Sequence, residues 1–80
     1  MNHGTATTKI NIDFTKVEFS WCYFRNLTPP PEILEAGQTG VITAYLPEWQ
    51  KFAISLSNGA HITFNMNEKE FKNLFDIKLN

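Results

Sequence analysis

The sequence predicts a mainly β protein: a small five- to six-stranded antiparallel barrel or curled sheet with one short C-terminal helix. Three observations carry that expectation. Apolar and polar residues alternate over residues 9–23 and again over 41–66, and period two with β-branched and aromatic residues marks strands with one buried face. Turn signals interrupt the runs at Gly37-Gln38-Thr39-Gly40, Pro47-Glu48-Trp49-Gln50 and Asn58-Gly59. Helical spacing of apolar residues occurs at Phe71, Leu74 and Phe75.

Eighty residues leave room for one hydrophobic core. A core of that size supplies only about 3–5 kcal/mol, and seven Phe, two Trp and two Tyr are available to fill it. The opening residues lack the charged and apolar blocks of a signal peptide. They read as a flexible polar tail over residues 1–8, ahead of a single β-barrel domain over 9–80.

From Lys9, the apolar residues Ile10, Ile12 and Phe14 fall on even numbers, and then Val17, Phe19, Trp21 and Tyr23 on odd ones. An uninterrupted strand would turn those two sets to opposite faces. A bulge, bend or turn near Thr15–Lys16 is therefore expected, giving either two strands or one long bent strand. The first fifteen residues add a strand-like segment that suits a sheet edge.

Arg25–Ala36 is a loop, because Pro29, Pro30 and Pro31 bring no ladder donors. Within it, Glu32-Ile33-Leu34-Glu35 suits a single helical turn or an extended segment equally. Gly37 and Gly40 allow positive φ and close backbone approach. They do not make a phosphate loop, since Val41-Ile42 stands where a Lys-Ser/Thr pair would be needed.

Val41–Leu46 is a strand, and Pro47 suits the second position of the turn that follows. Phe52, Ile54 and Leu56 then alternate with small residues. Asn58-Gly59 suits a two-residue type I′ hairpin, and Ile62, Phe64 and Met66 continue the apolar face. Parity assigns Ile42, Ala44, Leu46, Phe52, Ile54, Leu56, Ile62 and Phe64 inward, with Tyr45 on the opposite side. Asn67 and Glu70 stand as a helix cap and its capping-box carboxylate, and Ile77 and Leu79 mark a last edge strand.

Eight acidic and seven basic residues, interspersed along the chain, give a net charge of −1. That balance disfavours binding dominated by phosphate contacts. One cysteine, Cys22, excludes an internal disulfide and favours a reducing, cytoplasmic setting. It reads as a packed thiol between Trp21 and Tyr23. Trp21 shares the parity of Val17 and Phe19 and reads as core. His61 and His3 have no ligand cluster around them, so a solvent-facing imidazole is favoured at His61. No catalytic set, metal site or cofactor motif emerges, and the chain reads as no enzyme. Trp49, in a four-residue turn, is either packed back over the sheet or displayed to a partner.

The run Ala36-Gly37-Gln38-Thr39-Gly40-Val41-Ile42, with Phe52-Ala53-Ile54-Ser55-Leu56-Ser57-Asn58-Gly59 downstream, resembles the glycine-led meander of small Src-homology-three-like barrels, KOW-type modules among them. A strand, a long irregular loop, a glycine turn, three meandering strands, a short helical turn and a last strand is the element order of that family. The resemblance covers residues 17–79 and implies a scaffold that binds proteins or nucleic acids, without a catalytic residue. The flanks depart from nucleic-acid-binding KOW modules in carrying Glu32, Glu35 and Glu48 in place of basic residues.

The function that follows is a non-catalytic protein-interaction module: an accessory subunit, an adaptor or a small inhibitor. The contact residues expected are Tyr23, Pro30, Tyr45, Glu48 and Trp49, combining the proline loop with the Pro47–Gln50 turn. The alternative is a nucleic-acid-associated barrel of the KOW or oligonucleotide-binding sort, with aromatics stacking bases. Homo-oligomerisation through an exposed strand edge is a further option.

Overall fold

The computed structural model describes residues 2–23, 33–57 and 59–80, with the backbone alone at 21–23. Its strands are β1 (Gly4–Thr8), β2 (Ile12–Asp13), β3 (Phe19–Tyr23), β4 (Ile33–Leu34), β5 (Thr39–Leu46), β6 (Lys51–Ser55), β7 (Ala60–Asn65) and β8 (Phe75–Leu79). A 3-10 turn at Pro47–Trp49 links β5 to β6, and helix α1 (Glu68–Leu74) links β7 to β8. Six strands form one antiparallel sheet in the order β3-β7-β6-β5-β1-β8, while β2 pairs with β4. Among the described residues β3 and β8 are the edges, and the sheet is curled and not closed into a barrel.

The opening residues are not a tail. β1 lies inside the sheet, between β5 and β8, with Ala6 and Thr8 buried. Its side chains are small, so hydrophobic periodicity hardly registers it, and the sheet begins at Gly4 rather than Lys9. Thr8 ties the strand to the glycine turn: Oγ1 donates to the Glu35 carbonyl (2.8 Å) and accepts the Gln38 N–H (2.8 Å). The Thr8 carbonyl also accepts the Gly37 N–H at 2.9 Å.

The parity break falls where it is expected. Asp13 Oδ1 accepts from the Thr15 N–H (2.9 Å) and from Thr15 Oγ1 (2.6 Å), which turns the chain and holds the Asp13 carboxyl below its usual pKa. Ile12 and Phe14 are buried, whereas Ile10 is exposed. Ile33–Leu34 takes the extended alternative. Gly37 has φ +88°, and a Cβ on Gly40 would lie 3.1 Å from both Leu56 Cδ2 and the Ser55 carbonyl oxygen. The proline loop lies outside the described residues.

A register shift in the β5–β6 ladder overturns part of the inward face. Ile42 opposes Ile54, but Ala44 opposes Ala53 and Tyr45 opposes Phe52, so Thr43 is the extra residue of a bulge. Beyond it the parity reverses. Tyr45 packs on the core and Leu46 is turned out, 44% exposed, opposite to the sequence assignment of Ala44, Tyr45 and Leu46. Ile42, Phe52, Ile54, Ile62 and Phe64 face inward as expected, and Leu56 is half-buried against the core.

The β6–β7 connection differs too. Leu56 N–H bonds the Ala60 carbonyl (2.8 Å) and Gly59 N–H bonds the Leu56 carbonyl (3.0 Å). Gly59 has φ +91°. These are the marks of a three-residue loop over 57–59 ending in a left-handed glycine, not a two-residue type I′ turn; Asn58 itself lies outside the described residues.

Helix α1 starts as its cap requires. Asn67 Oδ1 accepts the Glu70 N–H at 2.8 Å, and Asn67 Nδ2 reaches Glu70 Oε1 at 2.9 Å. The helix drives Phe71 into the core, where it stacks on Phe52 (centroids 4.4 Å, planes 9° apart), while Phe75 meets Phe64 edge-on at 5.3 Å. This aromatic layer closes the concave side of the sheet.

Candidate functional site

Proline at the start of the Pro47–Trp49 turn suits its fixed φ and missing donor. The Gln50 N–H bonds the Pro47 carbonyl at 3.2 Å, so Pro47 holds the first position of the turn, not the second. Gln50 adopts the left-handed conformation (φ 54°, ψ 43°), which returns the chain into β6. Its carbonyl accepts the Met66 N–H at 3.0 Å. The turn is thus fastened at its base while none of its three residues is buried. Trp49 stands 71% exposed, which decides between the packed and displayed alternatives.

A groove of about 190 Å³ runs along this turn, lined by Tyr45, Leu46, Pro47, Glu48 and Trp49. It brings together three of the five contact residues expected from sequence: Tyr45, Glu48 and Trp49. Tyr45 enters differently from expectation. Because the bulge turns it inward, its ring meets Phe52 edge-on (4.9 Å, 72°) and its hydroxyl donates to Glu68 Oε2 at 2.6 Å. Burial and the Glu68 carboxylate push the phenol up to about 12. Tyr45 is therefore a wall of the groove braced from α1, not an arm reaching into solvent. Glu68 in turn faces Lys72 at 3.8 Å.

The other two expected contacts are Tyr23, of which the backbone alone is described, and Pro30. Tyr23 pairs by its backbone with Ala60, beside the 57–59 loop. Tyr45 lies in the row that passes through Phe52, Phe64 and Phe19. Four residues of β3 separate Tyr23 from that row, roughly 13 Å at strand rise. The Tyr23 side chain and Pro30 lie outside the described residues.

Leu46, Gln50 and Glu68 are what sequence reasoning missed. Leu46 was hidden by the bulge. The left-handed Gln50 carries no glycine or asparagine signal. Glu68 reads as a helix-dipole carboxylate, and its bond to Tyr45 depends on where the helix docks.

The groove offers an indole, two apolar walls and one exposed carboxylate, Glu48, which suits non-covalent recognition. Elsewhere, Ser55 Oγ lies 3.4 Å from His61 Nε2, and the register sets Cys22 opposite His61. Among the described residues, no group of three or more His, Cys, Asp and Glu could hold a metal ion. Nor is any described helix long and apolar enough to cross a membrane. A second cavity, about 220 Å³ and lined by Val17, Met66, Glu70, Asn73 and Leu74, lies beside α1. No protein-family model, curated protein or solved structure matches this chain.

Proposed function

We propose that this chain is a non-catalytic protein-interaction module, an accessory subunit, adaptor or small inhibitor, that meets its partner with the Pro47–Trp49 turn. The observation that carries this is Trp49, 71% exposed at the rim of a groove whose base is fastened to the sheet. Covering that much of an indole removes on the order of 100–150 Å² from water, about 3 kcal/mol before ordering terms. A turn already held in place loses little further entropy on binding, and Trp is among the residues enriched at interaction hot spots. Glu48 in the groove disfavours a phosphate backbone as the occupant.

The element order supports a Src-homology-three-like scaffold. β3, the glycine turn, the β5-β6-β7 meander, α1 and β8 come in the order that reading expects, while β1, β2 and β4 are additions to it. A cytoplasmic setting is part of the proposal, on the strength of the single cysteine.

Affinity capture with the wild type, Trp49→Ala and Glu48→Lys tests it. Trp49→Ala should leave the thermal midpoint unchanged and lose the partner, and Glu48→Lys should weaken capture. If the folded Trp49→Ala protein retains every partner of the wild type, the turn is not the contact surface.

A further inference from the structure

We propose that the outer edge of β8 pairs with the same edge of a second copy of this chain, antiparallel, about a two-fold axis at Ile77. The proposal is independent of the Pro47–Trp49 groove. The β1–β8 ladder runs in unbroken register from Gly4↔Leu79 to Thr8↔Phe75. At its two ends the Asn80 N–H bonds the His3 carbonyl (3.0 Å) and the Lys9 N–H bonds the Leu74 carbonyl (2.8 Å). Hydrogen-bonded pairs alternate along an antiparallel ladder. Asp76 and Lys78 therefore spend their backbone groups on β1, while Ile77 and Leu79 aim both N–H and C=O outward. Phe75 aims its carbonyl outward as well, its N–H being held by the Phe71 carbonyl.

Those outward groups are self-complementary. With the axis at Ile77, the two Ile77 residues exchange N–H and C=O, and each Leu79 N–H meets the Phe75 carbonyl of the other copy. The one donor missing from a perfect ladder, Phe75 N–H, is the one already satisfied by α1. The side chains match by the same operation. Asp76 of each copy falls directly opposite Lys78 of the other, giving two opposite-charge cross-strand pairs. Both side chains lie on the solvent face; the Asp76 side chain is 73% exposed and its Oδ1 stands 3.8 Å from Lys9 Nζ of its own chain, so in the dimer it would face two lysines. Leu79, an exposed apolar residue on the core side, comes to lie beside Phe75 of the second copy.

Natural edges are commonly blunted by a bulge, a proline or an inward-pointing charge. β8 has none of these over its five residues. Its blunting charge is Lys78, and in this one register Asp76 neutralises it. The result is a continuous twelve-stranded sheet across the dimer, twice the six strands of one copy. Pairing along a single strand covers little surface, so the dimer should be weak and salt-sensitive.

Sedimentation equilibrium of the full chain, over a concentration series reaching millimolar, tests this. The wild type should show a monomer–dimer equilibrium that weakens with salt. Asp76→Lys and Lys78→Asp each turn two attractive pairs into two repulsive ones and should raise the dissociation constant roughly tenfold or more. An equimolar mixture of the two single variants should associate again, because the heterodimer sets two lysines against two aspartates. The double swap, Asp76→Lys with Lys78→Asp, should also associate. A wild type that stays monomeric at millimolar concentration overturns the proposal. So does a dimer indifferent to both single reversals, or a mixture of folded variants that fails to associate.

Discussion

Tyr45→Phe removes one hydroxyl and leaves the ring where it packs. The atom lost donates to Glu68 Oε2 at 2.6 Å, joining β5 to α1. A hydrogen bond to a charged group contributes about 1.5–3 kcal/mol when well shielded. Here the Glu68 side chain is 40% exposed, so water can replace the phenol, and Lys72 stands 3.8 Å from the same oxygen. A loss of about 1 kcal/mol is the appropriate figure after that screening. In a domain of this size, that lowers the thermal midpoint by about 4–8 °C. Circular dichroism melts of wild type, Tyr45→Phe, Glu68→Gln and the double variant would give the coupling directly, and it should account for most of the single-site loss. Partner binding should be nearly unaffected, because the groove keeps its aromatic wall. The opposite outcome, an unchanged melt with binding lost, would mean that Tyr45 faces outward and that the bulge does not reverse the strand.

Gly4→Ala should destabilise by about 2 kcal/mol or more, since φ is +137° and a methyl would meet the Lys78 carbonyl oxygen and come 2.8 Å from Leu79 Cα; a denaturant midpoint equal to wild type would contradict the β1–β8 register. Tyr45 should ionise near pH 12 instead of near its ordinary 10.0, measured by phenolate absorbance in a Tyr23→Phe background. Because the folded pKa is raised above the unfolded one, this group's stabilisation is complete below about pH 10 and is lost as pH rises towards 12. Tyr45→Phe should remove that alkaline component of the unfolding curve, and a Tyr45 phenolate already formed at pH 10 would refute the bond to Glu68.

The legible parts of this fold are those written in large side chains. Phe52, Ile54, Ile62 and Phe64 alternate cleanly, and Phe71 and Phe75 mark both the helix and its buried face. Asn67 announces the helix because its side chain bonds the Glu70 N–H wherever the helix goes. What could not be read depends on small residues or on distant partners. β1 buries its backbone and Ala6 more than any large side chain, so it looks like a polar tail. The bulge at Thr43 is a property of the β5–β6 pair, and no residue type in β5 demands it. That single insertion decides the candidate site. It sends Tyr45 towards Glu68 and Leu46 towards solvent, so the groove is lined by two residues whose directions parity assigns the wrong way round. The turn itself was visible through Pro47 and Trp49, although the exposure of Trp49 was not.

The distribution of side chains also bears on the proposal that recognition belongs to a turn and an edge instead of a sheet face. Phenylalanines and isoleucines fill the concave side. The opposite side carries Ala44, Ala53 and Thr63 in one row, between a row of Val41, Ser55 and His61 and a row of Leu46, Lys51 and Asn65. The middle of that surface offers no aromatic anchor among these residues, whereas the turn beside Leu46 offers Trp49. The Pro47–Trp49 turn projects from the end of β5, while β8 lies two strands away across β1. Pairing through β8 would leave both grooves of a dimer uncovered. Two weak contacts, one between copies and one to a partner, would then reinforce each other, since a second groove on the same dimer acts at raised effective concentration towards a bivalent partner. Both contacts would also be built on residues the fold already holds in place, Tyr45 by its core packing and its bond to Glu68, and β8 by its ladder to β1.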